Sequence, residues 1–176
     1  VLAVTLFGFG IMAASASADN LLAGLFGKGV KGSGDVITET RSDLPEFNKI
    51  RSSGSCDVFV TFGDTRSLTV TFDDNLIDLV KTEVKGKTLR IYSDESYSSR
   101  RSCKVKITLP ELRSVKVSGS GDVAITDFSG DAFDFSVSGS GDLTIDGRVG
   151  ELEITISGSG DVDARQLIAD EAYVDI

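Results

Sequence analysis

An all-β chain, stacked as a β-solenoid with coils of about 20 residues, is the fold this sequence predicts. Three observations predict it. The tetrad Gly-Ser-Gly-Asp recurs at Gly119–Asp122, Gly139–Asp142 and Gly158–Asp161, at steps of 20 and then 19 residues. A period of this size marks a repeat architecture, in which each unit buries its apolar face by stacking on its neighbours. Apolar residues alternate with polar ones at period two, and they are rich in Val and Ile with Thr between them, which reads as strand. Finally, the apolar positions keep one parity on both sides of each tetrad. Both flanking strands can therefore turn the same face inward around a corner of small residues.

Taken in order, the elements begin near Val36. Val58, Val60 and Phe62 alternate with Phe59 and Thr61, and Leu68, Val70 and Phe72 alternate with threonines. Leu89 and Ile91, then Val105, Ile107 and Leu109, continue the pattern. Gly63-Asp64, Lys85-Gly86-Lys87 and the polar stretch Ser93 to Ser102 separate these strands as turns. Asn75 to Lys81 reads as one or two helical turns, and Pro45 and Pro110 sit where strands end. Each tetrad is then flanked: Val115 and Val117 before the first, Val123 and Ile125 after it; Phe133, Phe135 and Val137, then Leu143 and Ile145; Leu152, Ile154 and Ile156, then Val162 and Ala164. Gly32-Ser33-Gly34-Asp35 is a further full tetrad, and Gly54-Ser55-Cys56-Asp57 is a copy with cysteine for one glycine. Two readings of the first half stay open, a less regular part of the same stack or a two-layer sandwich. A fourth repeat begins at Ala172, Val174 and Ile176, so the natural chain is expected to continue. Residues 1–176 alone are then expected to associate end to end.

Residues 1–18 carry no charge, have an apolar centre and end in the A-x-A pattern Ala16-Ser17-Ala18. This reads as a secretory signal peptide, with the mature chain starting at Asp19. A membrane anchor is the alternative, and the run is short against the roughly 20 residues a span needs. The chain starts at Val, so the extreme N-terminus is expected to be missing. Residues 19–34 form a glycine-rich leader, and 35–176 form the domain. The formal charge of −9 belongs to the mature part. It argues against nucleic acid and against electrostatic binding to anionic membranes. In an exported chain, Cys56 and Cys103 suggest a disulfide, with two separate buried thiols as the alternative.

The tetrads pose the one chemical question. Gly119, Gly121, Gly139, Gly141, Gly158 and Gly160 suit a tight corner, where glycine tolerates positive φ and close backbone approach. Ser120, Ser140 and Ser159, with Asp122, Asp142 and Asp161, can bond turn backbone groups. Stacked at about 4.8 Å, the aspartates would repel unless exposed, hydrogen-bonded or bridged by a cation. A calcium ladder on Asp122, Asp142 and Asp161 competes with a structural role. One carboxylate per tetrad is thin supply against six to eight oxygens, so the structural role and no metal are assigned. The chain has no histidine, which excludes Ser-His-Asp and Cys-His chemistry. Two cysteines do not fill a zinc site. No Gly-Lys-Ser or Gly-Lys-Thr follows the glycines, against a phosphate loop. Asp73-Asp74 and Asp94-Glu95 read as neighbours on opposite faces or in solvated turns, and Arg100-Arg101 with Lys104 and Lys106 reads as a solvated hairpin tip.

The stretches VITETR (36–41), FNKI (47–50), DVFVTFGD (57–64), DDNL (73–76), TEV (82–84) and VKITLPEL (105–112), ending in repeated SGSGD, resemble the putative auto-transporter adhesin, head GIN domain family. The resemblance runs from about Val30 to the end. It implies a right-handed parallel β-helix, a place beyond the inner membrane and no catalytic residues. The Cys56/Cys103 pair is not part of the resemblance. The reading is a non-catalytic exported module, in the periplasm, at the outer membrane surface or outside the cell. It is expected to bind a surface ligand, protein or glycan, without a cofactor or a membrane-spanning domain. The alternative is a carbohydrate-active β-helix enzyme on a polysaccharide, by fold analogy. No tryptophan and three tyrosines count against it.

Overall fold

The computed structural model describes residues 29–176. Residues 1–28, which hold the expected signal peptide 1–18 and the start of the expected leader, lie outside the described residues. The protein is all-β. Its strands are β1 (Val30–Lys31), β2 (Val36–Thr40), β3 (Lys49–Gly54), β4 (Asp57–Phe62), β5 (Ser67–Asp73), β6 (Val80–Lys85), β7 (Thr88–Ser93), β8 (Tyr97–Ser98), β9 (Lys104–Leu109), β10 (Ser114–Gly119), β11 (Val123–Gly139), β12 (Leu143–Gly158) and β13 (Val162–Asp175). The helix-like segment shrinks to one 3-10 turn, Ile77–Leu79, because β6 already starts at Val80.

The strands form one sheet curled on itself as a half-barrel, beside the small β1–β8 pair. Strand β11 is the spine of the curl. Its first residues, Val123–Ile125, lie parallel to β4, while Ser114 to Gly119 of β10 pair with its last residues, Asp134 to Gly139. One wall therefore runs β2-β5-β9-β4 and the other β6-β7-β3-β10, joined through β11. Strands β12 and β13 add to β11 in parallel. Their register follows the sequence period: Val117 faces Val137, Val137 faces Ile156, and Gly139 faces Gly158.

The first half is not made of equal 20-residue coils. Strands β2 and β5, β5 and β9, and β6 and β7 pair antiparallel. The degenerate tetrad at Gly54 stands in register with Gly119, although 65 residues of chain separate them. The intervening strands β5 to β9 are excursions that widen both walls before the regular steps begin. The tetrad Gly32–Asp35 leaves the stack altogether and lies between β1 and β2.

The core fills the curl. Val58, Val60, Val105 and Ile107 from one wall and Ile50, Leu89, Val115 and Phe135 from the other are almost fully buried. At the bend, Phe128 packs edge-on to Phe62 at 5.5 Å and against Phe133 at 5.0 Å. Each such side chain contributes about 1.5–3 kcal/mol on burial.

Candidate functional site

The corners come first because the repeats point to them. In each tetrad the serine N–H donates to the first glycine's carbonyl one coil below: Ser120 to Gly54, Ser140 to Gly119 and Ser159 to Gly139, at 2.8–2.9 Å. The aspartates bond across coils as well. Asp57 Oδ1 accepts the N–H of Asp122 at 3.3 Å, Asp122 Oδ1 that of Asp142 at 3.0 Å, and Asp142 Oδ1 that of Asp161 at 2.8 Å. The four aspartates form a ladder of three bonds, in which Asp57, Asp122 and Asp142 each cap the backbone N–H of the next aspartate. Asp122, Asp142 and Asp161 are exposed, which keeps like charges in water. Asp57, the inner end, is half-buried. Burial pushes its carboxyl above the usual range, the Asp122 N–H opposes that rise, and the Asp122 charge adds to it. Among the described residues no group of three or more acidic, histidine or cysteine side chains is set to hold a metal.

The two glycines of a tetrad do different work. Gly139 has φ +149°, a region that side chains disfavour. Gly141 has no such φ; a Cβ there would lie 2.3 Å from the carbonyl oxygen of Gly121. Close approach of coils, not left-handed backbone, is its constraint.

Cys56 takes the place of the second glycine at the Gly54 corner, and a disulfide joins it to Cys103, with Cα atoms 4.6 Å apart. The bond ties the start of β4 to the loop entering β9.

Next to it lies a cleft of about 700 Å³ that the sequence did not reveal. One lip is Lys31–Gly34, the other Ser98–Arg101, and Asp73 forms the floor. Backbone bonds hold the lips together: Val30 N–H donates to Ser96 O at 2.9 Å and Gly32 N–H to Ser98 O at 2.8 Å. Asn75 braces the first lip, accepting the Ser33 N–H and donating to Lys31 O, both at 2.9 Å. Asp73 is fully buried. Its Oδ2 accepts the Ser99 hydroxyl, while Oδ1 has no hydrogen-bond partner among the described residues. Gly32 lies against this carboxylate, and any side chain there would collide with it. On the rim, Lys31, Arg100 and Arg101 make no ion pair among the described residues. A buried carboxylate thus lies beneath three cations that make no ion pair among the described residues. The arrangement can take a ligand bearing both hydroxyl and acidic groups.

Residues 46–176 match the model of the family described as putative auto-transporter adhesin, head GIN domain. The chain belongs to this family. Among solved structures, a putative lipid binding protein from Parabacteroides distasonis is 29% identical over 82% of this chain, with a TM-score of 0.73. This chain spans 64% of that protein's length. A putative adhesin from Bacteroides fragilis is 25% identical, with a TM-score of 0.66, over 83% of this chain and 78% of the other. A second adhesin-like structure, also from Parabacteroides distasonis, shares 22% identity at a TM-score of 0.55 over 82% and 79% of the two chains, and shows the fold alone. No curated protein matches the chain.

Within this GIN-domain chain the structure separates the residues that the sequence grouped. Arg100 and Arg101 line the cleft, whereas Lys104 and Lys106 lie exposed on β9. Asp73 is buried and Asp74 exposed. The sequence signal for the cleft was the off-period tetrad Gly32–Asp35, whose spacing from Gly54 does not match the later steps.

Proposed function

We propose that the protein is an exported, non-catalytic binding module that holds a surface ligand, protein or glycan, in the cleft between Lys31–Gly34 and Ser98–Arg101. The observation that carries this is the cleft itself: Lys31, Arg100 and Arg101, which make no ion pair among the described residues, stand over the buried Asp73. The family's adhesin description and the lipid-binding description of one relative both speak for binding in place of turnover. The serine, glycine and arginine lining suits a sugar or a polar head group better than an acyl chain.

In this reading, residues 1–18 direct export to the periplasm, outer surface or exterior, residues 19–34 lead into the domain, and 35–176 form it. From β10 onward the stack continues as a right-handed parallel β-helix, and the tetrads serve as its structural corners. The parallel, period-matched registers support that description. A combined glycan-array and turnover screen tests the function. Saturable binding that weakens in Arg100→Ser/Arg101→Ser, with the ligand recovered intact, is the expected outcome. Ligand cleavage would favour the polysaccharide enzyme.

A further inference from the structure

A second charged feature lies on the opposite wall, away from the cleft. Arg90 of β7, Arg51 of β3 and Lys116 of β10 stand in one lateral row across three adjacent strands. Their parity is opposite to that of Leu89, Ile50 and Val115, which are buried, so the three cations point outward. Arg51 and Lys116 are exposed and make no ion pair among the described residues; Arg90 leans on Glu83 at 3.4 Å. Lys49, two residues along β3 from Arg51, is also exposed and unpaired. Like charges facing each other across strands oppose the pairing. In a chain of net charge −9, such a concentration of cations is out of keeping with the rest of the surface.

We propose that this ridge binds a linear acidic polysaccharide. Neighbouring strands lie about 4.8 Å apart, close to the advance of one pyranose residue along an extended glycan. Successive sugars of an extended glycan turn their substituents to opposite sides, so a chain laid across the strands presents same-side carboxylates or sulfates to Arg90 and Lys116, two strands apart, with Arg51 between them. Beyond Lys116 the same row continues as Ser136 and Thr155, hydroxyls that suit sugar hydroxyls. Acidic residues confine the track. Glu83 closes one end of the row and Asp175 the other, and Asp134 and Glu153 flank it. These carboxylates repel a broad anionic surface, a membrane or a nucleic acid duplex, and leave room for one thin chain. The site is separate from the cleft of the proposed function, and either can fail alone.

The test uses the exported chain and three probes at low salt: polygalacturonate oligomers, dextran sulfate and neutral dextran. Both acidic probes are expected to bind and neutral dextran not to bind, with affinity falling as salt rises. Arg51→Glu/Lys116→Glu is expected to weaken acidic binding by at least about tenfold with an unchanged melting curve. Arg51→Thr/Lys116→Thr serves as the milder pair and is expected to lose less. Lys104→Glu/Lys106→Glu, on the other wall and outside the cleft, is expected to leave this binding intact. Absence of acidic binding would overturn the proposal. So would loss through the Lys104/Lys106 pair instead, or tighter ridge-dependent binding to duplex DNA or anionic vesicles.

Discussion

Asp142 joins three coils: its N–H is held by Asp122 and its Oδ1 holds Asp161. The bond needs an acceptor, not a charge. Asp142→Asn keeps an acceptor and is expected to cost at most about 1 kcal/mol, while Asp142→Ala leaves an N–H unpartnered and costs about 1–2 kcal/mol. Urea denaturation of the pair measures this, and equal losses would mean that charge, not the acceptor, matters. Gly141→Val drives a side chain into the Gly121 carbonyl and is expected to cost about 3 kcal/mol or more. At the ladder's inner end, burial raises the Asp57 carboxyl above its ordinary value. The folded state then binds its proton more tightly than the unfolded state, so this residue's contribution is full below the ordinary carboxylate range. It is lost as pH rises through the raised value. Asp57→Asn is therefore expected to compare better with the parent at neutral pH than in acid, read from melting at both. A constant difference would remove the burial argument. Glycine spacing and apolar parity were legible in the sequence, because both are local. The sequence did not show that each aspartate reaches the next coil, since that partner is set by stacking.

Strands β10 to β13 were legible because each repeats the one before it, so parity and period agree over long segments. Strands β5, β7 and β9 were legible as strands but their directions were not, because alternation is the same whether a strand runs with or against its neighbour. The cleft was hidden for a related reason: Asp73, Ser99 and Gly32 are distant in sequence and meet only because Val30–Lys31 pairs with Tyr97–Ser98. The disulfide belongs to this scale. It spans 47 positions and pins β4 to the entry of β9. Replacing Cys56 and Cys103 together by serine is expected to cost about 4 kcal/mol in the chain-entropy account. The melting temperature should fall likewise on reduction of the parent and stay put on reduction of the double variant. No change in either would mean that the hydrogen-bonded walls hold the loop without the bond.

At the scale of the molecule, a half-barrel of parallel and antiparallel strands offers two unlike faces, and the rigid corners keep both fixed. The N-terminal clip of β1 on β8 builds the cleft, and the sheet's regular spacing builds the cationic row. A scaffold of this kind is suited to holding a ligand in place. The direct measurement is a calorimetric titration of the protein with its best array ligand, followed by mass analysis of the recovered ligand. Saturable binding, loss of at least about tenfold in affinity in Arg100→Ser/Arg101→Ser, and a ligand of unchanged mass are predicted. A shortened ligand, or binding that ignores the cleft substitutions, would contradict the account.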